Sequence, residues 1–294
     1  MKRGRIVHVF VLLLLLAGCG KKPADRRVIS VTIEPQRYFA EKIAGDRFTV
    51  YTVVPSGQSP ETYDPTPQQM LRIGKSLAYL QIGYIGFEQA WMHTIRENNP
   101  DMEVFDLSKG VALVSYEEET AHRCDDESHH HHHHTGVDPH IWSSINGAKV
   151  IARNTLDAFL SLDSDHADDY RQNYALLMKE LEETEAAVDA LLRPRAGRAF
   201  VIYHPALTYL AGEYNLLQLC IEMEGKEPSP SHLKELVELS REHRAGVVFV
   251  QQEFDRKNAA LIAKETGCRL VTINPLAYNW NEEMIRIAKA LSDE

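Results

Sequence analysis

Short apolar runs alternate along most of the chain with stretches whose apolar residues recur at helical spacing. Such alternation is the signature of parallel sheets covered by helices on both faces. The first half predicts strands over Val28 to Ile33, Phe48 to Val54, Leu77 to Ile82 and Glu103 to Leu107. Between them the pattern predicts a helix opened by Pro35 and stopped by Gly45, a helix near Gln68 to Lys75 and another near Gly86 to Asn98. The second half predicts strands Ala199 to Tyr203, Leu216 to Glu222, Val247 to Gln251 and Arg269 to Ile273. Helices near Pro205 to Glu213, Ser231 to Arg244, Arg256 to Thr266 and Asn281 to Ser292 fall between or after them.

The two halves are bridged by helical patterns. One runs from about Asn146 to Leu160. A second, longer one places Tyr170, Tyr174, Leu177, Leu181, Val188 and Leu191 on one stripe, with Thr184 as its weak rung. A helix from Asp165 to Leu192 would be about 42 Å long at 1.5 Å per residue, enough to run along both halves. The expected architecture is α/β with two lobes, each a four-stranded, mainly parallel sheet with helices on both faces, joined by one long rigid helix. Residues 28–164 form the first lobe, 165–193 the linking helix and 194–294 the second lobe. No close sequence repeat relates the lobes.

Two segments break the pattern. The amino terminus has a basic patch of Lys2, Arg3 and Arg5, then an apolar run from Ile6 to Leu16 interrupted only by His8, then small residues. That is a secretory signal, too short for a permanent membrane span. Leu16-Ala17-Gly18-Cys19 looks like a bacterial lipobox, in which the thiol of Cys19 takes a diacylglycerol and becomes the first residue of the mature chain; the alternative is a plain signal with a chance cysteine. Residues 19–27 would be a tether. The second break, residues 108–136, is acidic and polar, lacks hydrophobic periodicity and carries six consecutive histidines, His129, His130, His131, His132, His133 and His134. It reads as a long mobile loop. Its position inside the chain and its flanks, Asp125-Asp-Glu and Thr135-Gly-Val-Asp138, argue against a purification tag.

Composition narrows the function further. Removing residues 1–18, which hold three basic residues and no acid, takes the formal charge from −10 to −13. An acidic balance of that size disfavours nucleic acid as a partner. A mature length of 276 residues is ample for two lobes. Of the remaining cysteines, Cys124 lies in the polar loop. Cys220 and Cys268 lie in apolar segments and would be either bridged or separately buried in a disulfide-permissive compartment.

Three polar motifs fall where strands end or helices begin, the place where open parallel sheets build binding sites. They are Pro55-Ser-Gly-Gln-Ser-Pro-Glu61-Thr-Tyr63, Val137-Asp-Pro-His140-Ile-Trp142 and Tyr203-His204-Pro205. Glu61, His140 and His204 supply one carboxylate and two imidazoles from separate segments, a donor set that zinc accepts. Each residue alone reads more readily as a solvated loop charge or a structural histidine than as a ligand; their shared position at junctions is what unites them. Glu253, after the strand Val247 to Gln251, is a further acid at a strand end, either a surface charge or a partner fixing a histidine tautomer.

At these residues the chain resembles the cluster A-I substrate-binding proteins of ABC importers, the zinc and manganese receptors also described as adhesin-type lipoproteins. The landmarks are Asp138-Pro-His-Ile-Trp142, Tyr203-His204-Pro-Ala, Gly225-Lys-Glu-Pro-Ser-Pro-Ser-His232 and Ile273-Asn-Pro-Leu276. The resemblance implies two α/β lobes on one long helix, a metal in the cleft between them, and His140 and His204 as its second and third ligands. The family's first ligand, a histidine in Gly-x-x-Pro-His-x-Tyr, is replaced here by Glu61. Its fourth, an aspartate in Asp-Pro-Leu, is replaced by Asn274, which either ligates through its amide oxygen or caps local structure. It also implies a histidine-rich loop, as in the zinc members, that gathers ions weakly.

The expected function is therefore capture of zinc(II) outside the cytoplasmic membrane, in the periplasm or at the cell surface, by a lipid-anchored monomer that delivers the ion to an ABC-type permease. Glu61 and Asn274, being harder donors, keep a manganese or iron receptor as the alternative. A different class, a zinc-dependent hydrolase, would use three ligands and an open position to activate water. Against it stand the absence of a His-Glu-x-x-His pairing and of an evident general base, and the expectation is no enzymatic activity. An attachment role is suggested only by the family's older name.

Overall fold

The computed structural model describes residues 27–115, 136–222 and 228–293. Cys19, Cys124 and the tract His129 to His134 lie outside the described residues, and so does part of the Gly225 to His232 landmark.

The first sheet is built from β1 (Arg27–Val31), β2 (Phe48–Thr52), β3 (Ala78–Gln81) and β4 (Glu103–Asp106), in the order β2-β1-β3-β4. The second contains β5 (Ala199–Ile202), β6 (Leu217–Cys220), β7 (Val247–Gln251) and β8 (Arg269–Ile273), in the order β6-β5-β7-β8. Every pairing in both sheets is parallel. Both sheets therefore start at a middle strand and reverse direction of travel beside it, which opens a crevice beyond the carboxyl ends of their strands.

The helices among the described residues are α1 (Glu34–Ala44), α2 (Pro67–Ile73), α3 (Gly86–Asn98), α4 (Ile145–Leu162), α5 (Ala167–Leu192), α6 (Thr208–Glu213), α7 (Pro230–Glu242), α8 (Arg256–Thr266) and α9 (Trp280–Ser292). Alternate residues of the second sheet show why helices are needed on both faces. Val201, Val248 and Val250 pack in one apolar cluster with Leu236 of α7 and Ile262 of α8. Phe200, Ile202 and Phe249 face the other way, into a larger cluster with Met284 and Ile287 of α9.

That larger cluster continues through α5 into the first lobe. At 26 residues, α5 is about 39 Å long. It buries Tyr170, Leu177, Leu181, Thr184 and Val188 of the stripe the sequence predicts, with Leu192 buried and Tyr174 and Leu191 only partly so. Thr184 fits there because its hydroxyl donates to the Glu180 carbonyl (2.8 Å). Glu180, on the same helix, ties the lobes: it accepts from Tyr38 (2.7 Å) and Lys42 (2.7 Å) of α1 and from Asn281 (3.0 Å) of α9. Aromatic contacts run beside it, Tyr38 against Tyr278 and Phe39 against Trp280.

Boundaries differ from the sequence expectation where side chains take over backbone bonds. The first strand stops at Val31 because Gln36 accepts from the N–H groups of Thr32 and Ile33, turning the chain into α1. Arg27, expected in the tether, already belongs to β1; it pairs with Phe48, covers that ring and forms an ion pair with Asp163 (2.5 Å). The stretch expected as loop from residue 108 is anchored up to Ser115, since Val111, Leu113 and Val114 pack on the core and Ser115 bridges Val137. The helix expected from Pro205 begins at Thr208, after a tight turn at His204 described below. Cys220 and Cys268 are not bridged to each other.

Candidate metal centre

The crevice between the sheets holds a cleft with about 350 Å³ of free space, lined by Glu61, His140 and His204 and also by Glu253, Phe254 and Leu276. Its walls come from the segments after β2, β5, β7 and β8 and from the turn leading into α4.

His140 begins a single 3₁₀ turn, Ile141–Ser143, that folds onto the start of α4. The approach is so close that a Cβ on Gly147 would sit 1.8 Å from the Ile141 carbonyl oxygen, so only glycine fits. Ser144 caps α4 by accepting from Gly147 N–H (3.1 Å). The second lobe fastens the same turn: Glu213 accepts from the N–H groups of Ile145 and Asn146, Tyr209 donates to the Asp138 carbonyl (2.7 Å), and the Trp142 indole donates to the Pro275 carbonyl (3.1 Å). His140 is thus buried and held by both lobes.

His204 follows β5. Gln251, at the end of β7, accepts from its N–H (3.3 Å) and donates to its carbonyl (2.7 Å). This two-way bond bends the chain before α6. The Phe254 ring stacks on the imidazole at 5.3 Å and 22°.

The two imidazoles meet. Nε2 of His140 lies 3.2 Å from Nε2 of His204, with ring centroids 5.0 Å apart. Each Nδ1 faces a carboxylate. Asp138 Oδ1 is 2.8 Å from Nδ1 of His140 and also accepts that residue's backbone N–H. Glu222 Oε1 is 3.0 Å from Nδ1 of His204. Burial works to raise the Asp138 carboxyl, but the imidazole and N–H groups of His140 outweigh it and hold the group below the usual carboxylate range. A carboxylate oxygen facing Nδ1 favours the tautomer in which Nδ1 carries the proton and Nε2 presents a lone pair. Two lone pairs at 3.2 Å repel unless an electrophile, a proton or a metal cation, stands between them. A tetrahedral zinc with Zn–N of about 2.0–2.1 Å sets two imidazole nitrogens about 3.3 Å apart.

Glu61 reaches the cleft from the first lobe. Its Oε2 accepts from Gly86 N–H (3.0 Å) at the amino end of α3, where the helix favours negative charge. Its Oε1 is buried with no hydrogen-bond partner. Glu253 lines the second-lobe side, and its Oε1 is likewise buried without a partner. Burial raises the Glu253 carboxyl, with its own backbone N–H and His204 pulling the other way. Glu222 and Asp138, and not Glu253, face the Nδ1 atoms of the two histidines, and Glu253 lies in the cleft wall, neither a tautomer-fixing partner nor a simple surface charge. Asn274 is not in the cleft lining: its Oδ1 accepts from Leu276 N–H (3.2 Å) and its N–H donates to Glu283 (2.7 Å), so it shapes the turn after β8.

Among the described residues no three His, Cys, Asp or Glu side chains stand within coordinating reach of one point. The two imidazoles are in place and Glu61 stands off. Among the described residues no lysine or arginine lines the cleft. With Glu61 and Glu253 in its wall and Asp138 and Glu222 behind the imidazoles, its field favours cations.

Residues 29–291 match the family described as the zinc-uptake complex component A, periplasmic. The chain belongs to that family. It shares 34% identity with a protein whose solved crystal structure is that of ZnuA, with a TM-score of 0.82 over 92% of this chain and 99% of that one. It is 27% identical to the high-affinity zinc uptake system protein ZnuA of Bacillus subtilis, covering 92% of this chain and 87% of the relative. It is 23% identical to the manganese-binding lipoprotein MntA of Halalkalibacterium halodurans, covering 88% and 84%. As a member of this family the chain is an extracytoplasmic solute-binding component of a metal importer and not an enzyme. Among the described residues no helix is long and apolar enough to cross a membrane.

Proposed function

We propose that His140, His204 and Glu61 hold one divalent ion in the cleft, zinc in the first place, and that the protein hands it to an ABC-type permease. The observation that carries this reading is the approach of the two Nε2 atoms to 3.2 Å, each imidazole backed by a carboxylate on its Nδ1. That is the carboxylate–histidine–metal arrangement, in which the outer acid fixes the tautomer and strengthens the donor. Glu61, with its buried unpartnered oxygen, supplies the negative charge and closes on the ion from the other lobe. In this reading residues 28–164 and 194–294 are the two binding lobes and 165–193 the strut that keeps them in register. Asn274 is a cap and leaves a coordination position to water or another side chain.

The rest of the reading concerns residues outside those described. Cys19 carries the lipid that tethers a monomeric receptor to the membrane after removal of residues 1–18, as the names of lipoprotein relatives support. His129 to His134 gather zinc weakly and exchange it fast. The manganese-binding relative and the hard donor Glu61 favour one secondary reading, a receptor that also takes manganese. Metal analysis of protein purified without added metal tests the ion: about one zinc per chain is expected, and manganese or iron in zinc's place would overturn the zinc assignment.

A further inference from the structure

Glu61 and Glu253 share an unusual condition. Each has an Oε1 buried in the cleft wall with no hydrogen-bond partner. A carboxylate oxygen can only accept, so a buried one without a donor is a destabilised group, and a cation satisfies it. The two acids stand on opposite sides, Glu61 after β2 of the first sheet and Glu253 after β7 of the second.

Among the described residues the second-lobe side offers few other donors. Glu222 is occupied with Nδ1 of His204, and Asn274 is neutral with its Oδ1 taken by Leu276 N–H. Glu253 sits next to His204: the turn from Gln251 to Phe254 is closed by Phe254 N–H to the Gln251 carbonyl (3.2 Å), Gln251 grips the His204 backbone, and Phe254 lies on its imidazole. One side of the imidazole is covered by Phe254 and its Nδ1 by Glu222, so a neighbouring carboxylate can meet it at the cation.

We propose that Glu253 is a fourth metal ligand, rotating onto the ion from the second lobe as Glu61 does from the first. This rests on His140 and His204 being ligands, as proposed above. The resulting shell of two imidazoles and two carboxylates balances the charge of a divalent ion inside a low-dielectric cleft, and the second hard oxygen narrows the preference for zinc over manganese. It also makes lobe closure and ion capture one event, since each lobe contributes a carboxylate with one oxygen that has no partner until the ion arrives.

The test uses metal-free protein, Glu253→Gln, and Glu61→Gln and His204→Ala as references. Zinc and manganese affinities are measured by chelator competition, and the visible ligand-field spectrum is recorded with cobalt(II) as the probe. Glu253→Gln should weaken zinc binding about ten-fold or more, a cost at least equal to that of losing an outer-shell partner, weaken manganese further, and change the cobalt spectrum. Unchanged affinity, or weakened affinity with the wild-type cobalt spectrum, would overturn ligation by Glu253 while His204→Ala still abolishes tight binding. If His204→Ala also binds zinc as tightly as wild type, the site itself is misassigned, a different failure. Unchanged melting of metal-free Glu253→Gln separates lost ligation from lost folding.

Discussion

Glu222 Oε1 lies 3.0 Å from Nδ1 of His204, and Asp138 Oδ1 lies 2.8 Å from Nδ1 of His140, so each imidazole is aimed by an acid. Removing the charge behind a ligand loosens its orientation and weakens its basicity. Asp138→Asn and Glu222→Gln should each lower zinc affinity by roughly 10–100-fold with the fold intact by circular dichroism. Affinity unchanged in both variants would mean the acids serve packing alone.

Gly86 sets how closely Glu61 can approach α3. A Cβ there would lie 2.3 Å from the Glu61 carbonyl oxygen and 2.8 Å from its Cα, both backbone atoms that cannot swing aside. Gly86→Ala should cost about 1–3 kcal/mol of stability in urea unfolding and weaken metal binding by displacing Glu61. A variant with wild-type stability would show that the segment from Ser59 to Glu61 moves freely.

Glu88 gives the first lobe a pH signature. It is fully buried, and desolvation pushes its carboxyl up to about 7 despite bonds from Thr32, Gly83 and Ile82, with the charge of Glu61 adding to the rise. Its ordinary value is 4.5. Between those values the folded protein holds a proton that the unfolded chain has released, so stability is full below about 4.5 and declines as pH rises towards 7. Urea midpoints of metal-free protein from pH 5 to 7 should fall for wild type and fall less steeply for Glu88→Gln. Equal slopes would contradict a protonated Glu88.

Deletion of His129 to His134 should remove a weak phase of zinc binding and leave the tight one. Loss of the tight phase would put the main site in the loop.

Much of this was legible in the sequence. Continuous apolar runs such as Val247 to Gln251 and the helical stripe that begins at Tyr170 exceed any competing signal, so the strands and the long helix emerge at nearly their observed bounds. His140 and His204 are visible because each stands beside a proline where a helix begins or a strand ends. Asp138 and Glu222 were hidden for a physical reason. An acid two residues before a histidine, or just past a strand, looks like a solvated charge until the fold turns it onto an imidazole 18 residues away in one case and its own near neighbour in the other. Glu253 looked equally suited to that task, and only the geometry separates them. The late start of α6 has the same origin, since Gln251, 47 residues from His204, diverts the backbone.

The central claim is that one cation binds between His140 and His204, and zinc calorimetry on metal-free protein tests it most directly. The His140→Ala, His204→Ala double variant, checked for native melting, should lose the single tight site and retain only weak binding. One tight zinc per chain in that variant would contradict the account.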